Sequence, residues 1–319
     1  MKLATIAFGA VFAAAAAGSA SAEQISIGTS PLGSAGYAMG SAIAKLITQK
    51  LGIQARVQPF TGNSIALVQV NSGEIDMSVC NEIEAQEALQ GTGPYHGRQQ
   101  KNLRVASIMY PFPVAMYVPK SSPIKTMAEL RGKRVSWGFT AQLTLKQVVG
   151  ALLANGGLTP KDISQDLVPN VNRGGDDVAA GKADAFFHSV GSGKVSEVDA
   201  AVGGLRALPV DTSPAAVAAM HKILPEGYVL NVKPRPGAAG IDQPTDLLAY
   251  DYLLVVGKHM KPELVQKLLK VMAENKQTLV EGYSAMRGFD PEHMSKKMDV
   301  EYHPGAIAYL KSAGQWPPK

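Results

Sequence analysis

The chain has 319 residues, a formal net charge of +5 and one cysteine, Cys80. Its lysines and arginines form no runs and are not interleaved with aromatic residues, which argues against nucleic acid as a partner. A single thiol excludes an internal disulfide, and the length suggests two domains or one large one.

Residues 1–22 have the form of a secretory signal peptide. Lys2 gives a positive start, residues 3–18 are an apolar run rich in alanine, and Ala20-Ser21-Ala22 is a small-residue cleavage site. Cleavage after Ala22 would remove one lysine and leave 297 residues with a net charge of +4. No later stretch reaches the roughly 18 apolar residues that a membrane helix needs. The expectation is a soluble periplasmic protein that relies on its core for stability.

Residues 25–28 read as a short buried strand, and Pro31 to Gly36 cannot continue it. From Met39 the apolar residues Met39, Ile43, Leu46, Ile47 and Leu51 share one helical face. The result is strand, tight turn, helix. Free amides at the helix start, beside Ser34 and Tyr37, would form a socket for a carboxylate or other anion. Residues 53–60 form a second strand, and Thr61-Gly62-Asn63-Ser64 opens another helix, with Ser64 or Asn63 expected as its N-cap. Residues 75–80 are a third strand ending in Cys80, an alternating run that points to a buried, inert thiol. Asn81 and Glu82 follow at its carboxyl end, where open α/β sheets bind ligands. Asn81 would also cap a helix over 82–89.

Residues 91–100 are a surface loop with His96 solvated, and 103–109 are a strand. Pro111 and Pro113 are expected to break the ladder before extended structure resumes at 114–118, as at an interdomain hinge. A second α/β unit follows, with a strand over 134–138. Phe139-Thr140-Ala141-Gln142 leads into a helix with Leu145, Val148, Val149, Leu152 and Leu153 on one face, Thr140 being the expected cap. This is the third strand-turn-helix with a small hydroxyl residue at its turn. Residues 163–168 and 183–187 are strands, with a short helix over 176–180 between them. His188 sits at the end of the second strand beside a Gly/Ser turn. There it could donate to an anion, change charge near neutral pH, or serve as a structural cap. Strands are expected at 205–210, 228–233 and 247–256, and helices at 214–224, 262–281 and 303–311.

Three of these stretches together resemble the TAXI group of extracytoplasmic solute receptors, which serve tripartite ATP-independent periplasmic (TRAP) transporters. The residues that carry the likeness are Ile27-Gly28-Thr29 with Gly33, Gly36-Tyr37 and Gly40; Thr61 to Ser64 with Asn71-Ser72-Gly73-Glu74-Ile75-Asp76; and His303-Pro304-Gly305-Ala306. Two departures fall in the ligand site: the opening turn has one aromatic where the family usually has two, and Asn81-Glu82 stand where an acidic residue often follows the third strand.

The resemblance implies an α/β, two-lobed type II periplasmic binding protein fold with a hinge and an interlobe ligand cleft. Residues 23–111 with 211–319 would form one lobe and residues 112–210 the other. It further implies a small carboxylate or amino acid such as glutamate as solute, a TRAP membrane permease as partner, and no cofactor. Gly33, Ser34 and Tyr37 would hold one end of the ligand, with Thr61, Asn63 and Ser64 on the same lobe. Asn81 would orient it, and Thr140, Gln142 and His188 would close from the other lobe. Phe139 is either an apolar wall or a core residue. No nucleophile elbow, paired catalytic carboxylates or metal-ligand spacing among the six histidines points to an enzyme or a metal site. The same scaffold could instead serve an enzyme or a sensor feeding a membrane kinase.

Overall fold

The computed structural model describes residues 24–318, and the expected signal peptide lies outside them. The chain opens with β1 (Gln24–Thr29), α1 (Ala35–Leu51), β2 (Gln54–Pro59), α2 (Asn63–Ser72), β3 (Met77–Asn81) and α3 (Glu82–Gln90). Strand β1 lies between β2 and β3 and is parallel to both. In α1 the expected stripe is the buried one: Met39, Ile43, Leu46 and Ile47 are inaccessible to solvent. Each such side chain contributes about 1.5–3 kcal/mol. Ser34 caps the helix, its hydroxyl accepting the Tyr37 amide at 3.1 Å.

The middle of the chain adds β4 (Leu103–Pro119), β5 (Arg134–Gly138), α4 (Leu145–Asn155), β6 (Ser164–Val168), α5 (Val171–Ala179), β7 (Phe186–Ser189), α6 (Gly193–Val202), β8 (Leu205–Ala207), α7 (Pro214–Ile223) and β9 (Tyr228–Val232). The return is β10 (Thr245–Gly257), then α8 (Pro262–Glu274), α9 (Lys276–Gly282) and α10 (Pro304–Ser312). The helix expected over 262–281 is thus divided at Asn275, whose side-chain amide donates to the Val271 carbonyl at 2.9 Å. Among the described residues, no helix is long and apolar enough to cross a membrane.

One sheet runs in the order β2-β1-β3-β10-β4-β7, with β9 on the edge of β10 and β8 on the end of β4. Strands β5 and β6 pair in parallel, and Val135 bridges this pair to Ala185 just before β7. The long antiparallel pair β4–β10 is therefore common to two halves. In one half the pair is flanked by β3 and, beyond it, β1 and β2. In the other it is flanked by β9 and β7.

Two expectations change here. Pro111 and Pro113 do not interrupt the ladder, because β4 is continuous and pairs with β10 through Asp251 and Ala249 opposite the prolines. The Pro113 carbonyl accepts the Val190 amide at 3.0 Å on the other edge, so the nitrogen without a hydrogen also faces that edge. Residues 211–251, expected with the first lobe, pack with the second half: α7 lies on α4, and β9 pairs with the first part of β10. The helix α6, absent from the sequence reading, starts at Ser192, whose hydroxyl accepts the Val195 amide.

A charged cluster ties the halves together at the crossover. Lys296 Nζ lies 2.6 Å from Glu82 Oε2 at the start of α3 and 2.5 Å from Asp251 Oδ2 on β10. Tyr228 of β9 donates to the other Asp251 oxygen at 2.9 Å. Burial pushes the Glu82 carboxyl up, and the Lys296 ammonium opposes that shift. Replacing Lys296 with Met should leave two poorly solvated carboxylates facing each other and cost about 2–3 kcal/mol, measurable as a lower urea midpoint.

Candidate functional site

A cavity of about 50 Å³ lies between the two halves, directly over the β4–β10 crossover. Its aromatic floor follows from strand alternation. Phe112 of β4 stacks on Tyr252 at 4.4 Å and on Tyr250 at 5.7 Å between ring centroids, the two tyrosines being alternate residues of β10. Phe187, Val114, Leu145 and Val171 complete the apolar wall.

The polar groups on one side come from three strand-to-helix junctions. Ala35 and Gly36, the first two residues of α1, line the cavity, and their amides have no acceptor within the helix. Ser30 donates to Asn63 Oδ1 at 2.7 Å, while Asn63 Nδ2 donates to Glu84 Oε2 at 2.8 Å and to the Tyr252 hydroxyl at 3.3 Å. Asn81 caps α3, accepting the Glu84 amide at 2.8 Å and donating through Nδ2 to Glu84 Oε2 at 2.9 Å. Glu84 is thus a buried carboxyl held by two asparagine amides. Burial, joined by the nearby charge of Glu87, pushes its pKa up to about 7, against the lowering effect of the Asn63 hydrogen bond. No lysine or arginine lines the cavity.

The facing side is built around His188 at the end of β7. Its Nδ1 accepts the Ser189 amide at 2.9 Å and lies 2.8 Å from the Ser192 hydroxyl. The proton therefore sits on Nε2, which faces Asn172 Oδ1 at 3.1 Å. Asn172 Nδ2 in turn donates to the Leu32 carbonyl in the other half at 2.9 Å. Burial pushes the imidazole down to about 3, so it stays neutral at physiological pH. This corrects the expectation of a charge change near neutrality. Both ring nitrogens are committed within the protein, so His188 positions Asn172 while its ring edge lines the cavity. Gln142 lies beside it, with Oε1 accepting the Val171 amide at 3.0 Å.

Of the residues singled out in the sequence, Ser34, Asn63, Asn81, Gln142 and His188 meet at this cavity, and the others lie elsewhere. Gly33 forms the turn before α1 with φ +84, its carbonyl accepting the Lys194 amide at 3.4 Å. Tyr37 is half-buried one turn along α1, and Thr61 and Thr140 are exposed. Ser64 faces outward towards Pro94 and Tyr95. Neither it nor Asn63 caps α2: the cap is Gly62, with no side-chain bond. Thr140 does not cap α4, which starts five residues later behind Thr144. Phe139 is fully buried in the core, with φ +44 and its ring edge-on to Phe187.

Sequence reasoning missed Ser30, Glu84, Phe112, Tyr250 and Tyr252. Glu84 stands three residues after the cap Asn81, the spacing of a capping box, and that pattern marked it. The tyrosines could have been found from their two-residue spacing in an otherwise aliphatic strand.

The fold is that of the two-lobed periplasmic binding proteins. The sequence model of the NMT1-like family matches residues 27–314, and the chain belongs to that family. Among solved structures it is similar to one described as a periplasmic transporter, at 12% identity and a TM-score of 0.60, over 93% of this chain and 94% of that one. It is also similar to PhnD1 of Prochlorococcus marinus in complex with methylphosphonate, at 10% identity and a TM-score of 0.57, over 92% and 97%. A third is the alkanesulfonate-binding protein SsuA of Xanthomonas axonopodis pv. citri bound to MOPS, at 14% identity and a TM-score of 0.51, over 92% and 94%. At these identities the likeness defines the fold alone.

The raised Glu84 carboxyl has a stability consequence. In the unfolded chain it ionises near pH 4.5, but in the folded protein only near 7. Its contribution is present below pH 4.5 and is lost as pH rises through 7, on the order of 3 kcal/mol. Glu84→Gln, which keeps an acceptor for both asparagines, should therefore raise the melting temperature at pH 8 and change it little at pH 5. A shift independent of pH would contradict this account of Glu84.

Proposed function

We propose that the protein is a periplasmic solute receptor that encloses a small organic anion or amino acid between its lobes and hands it to a TRAP-type membrane permease. The observation that carries this reading is the cavity between the halves, over two strands that both share. Its walls hold first-turn helix amides on one side and hydrogen-bonding side chains on the other. Helix-start amides suit a carboxylate without any basic residue. Glu84 adds an acceptor, or a donor when protonated, for an amino or acid group at the opposite end.

The cavity lies between the two halves, so parting and closing them would open and shut it, which supports a moving hinge. We place the hinge at Pro111 to Pro113 of β4 and the facing Tyr250 to Tyr252 of β10. One lobe is then residues 23–110 with 252–319, and the other is residues 111–251. Complexes of the same fold with methylphosphonate and with MOPS support a small anion as cargo. In this reading the solute leaves unchanged, with no cofactor and no metal.

A thermal-shift screen of the secreted protein against amino acids, dicarboxylates, 2-oxo acids and sugar acids tests the proposal. A true ligand at 100 times its Kd should add about 2.7 kcal/mol of stability and be recovered intact. Chemical turnover of the bound compound would overturn the receptor reading. With the ligand in hand, Asn63→Ala should weaken binding at least about tenfold, since it leaves Ser30 and Glu84 without their partner. Ser64→Ala, on the outer surface, should leave calorimetric affinity unchanged.

A further inference from the structure

The cap of α2 has no side chain. Ser, Thr, Asn and Asp at that position accept a helix amide, and glycine is also favoured there. Here it is Gly62, with φ −162 and ψ 155, an extended conformation that any residue adopts. The backbone does not call for glycine. The opposite half does: a Cβ on Gly62 would overlap the carbonyl oxygen of Ala141 and stand 3.2 Å from its carbonyl carbon and 3.5 Å from Gln142 Cγ. The obstacle is main chain, in the turn that carries Gln142 into the cavity, so it cannot swing aside like a flexible side chain.

Other contacts cross the same lip. Thr144 donates to the Glu87 carboxylate, and Asn172 to the Leu32 carbonyl. These bonds form only if α2 and the 139–142 turn come this close. We infer that Gly62 is the positioning residue that sets how far the lobes close over the solute. This rests on the receptor reading above. With the lobes apart, the Ala141 carbonyl no longer blocks a side chain at 62; with them together, that side chain holds the lip open and keeps Gln142 and Asn172 from their places. The apparent affinity falls in proportion to the closed population.

The test uses the full secreted chain labelled for single-molecule energy transfer at Gln99→Cys and Lys146→Cys, exposed positions in opposite halves. Cys80 is fully buried and stays unlabelled. In the parent, the compound found by thermal shift should enlarge the high-transfer population. In Gly62→Ala that population should shrink, and in Gly62→Val shrink further, with calorimetric affinity lower by at least about tenfold. Melting temperatures of the ligand-free proteins should agree, which separates a block on closure from a folding defect. Equal closed populations and equal affinities in parent and variants would overturn the assignment while leaving the receptor reading intact. A parent that neither binds any compound of the panel nor changes its transfer efficiency would instead overturn the receptor reading itself, and the assignment with it.

Discussion

Two strands, β4 and β10, carry the architecture because each belongs to both halves of the molecule. Their antiparallel ladder runs from Leu103 opposite Gly257 to Val114 opposite Leu248. Sliding one half past the other would break that register, so the cheap relative motion is bending about the shared pair. The prolines of β4 are compatible with it, since Pro113 turns its hydrogen-free nitrogen away from β10. The same pair supplies the cavity floor: Phe112, Tyr250 and Tyr252 are alternate residues on facing strands, and alternation puts their rings on one side. The proposed hinge and the cavity floor thus fall on the same two strands.

Above that floor, the electrostatics are set by burial more than by charge pairing. Lys296, Glu82 and Asp251 neutralise one another at the crossover, outside the cavity. Inside it, the ionisable groups are Glu84 and His188, and burial drives both towards their neutral forms. His188 stays neutral and serves as a rigid link in a chain from Ser192 through Asn172 to Leu32 in the other half. Glu84, poised near pH 7, is the group whose charge responds to a ligand or to the medium.

The parts of this site that could be read in the sequence were those with a local signature. The stripe Met39 to Ile47 and the turn at Ser34 predicted α1 and its exposed amides, and Asn81 at the end of β3 marked a helix start at the carboxyl edge of the sheet. The errors came where tertiary contacts decide. Ser64 and Thr140 are good capping residues by type, but Gly62 is the cap of α2 because the opposite lobe occupies the space its side chain would need. The start of α4 slipped four residues, from a cap at Thr140 to Thr144, because Phe139 takes a left-handed turn that no local pattern announces. Of the roles left open for His188, the hydrogen bonds favour the structural one, and the burial that keeps its imidazole neutral comes from α5 and α6, which lie at other points of the chain. The packing of α7 on α4 was not legible because the two helices are distant in sequence.

The central claim is that the two halves move as lobes about β4 and β10 and close on a small solute. Small-angle X-ray scattering of the secreted protein, alone and saturated with its solute, measures that directly. The account predicts a smaller radius of gyration and a shorter maximum dimension in the presence of solute, with the molecular mass unchanged. Superimposable profiles at proven saturation would contradict it, leaving a rigid molecule whose cavity is a packing defect over the crossover.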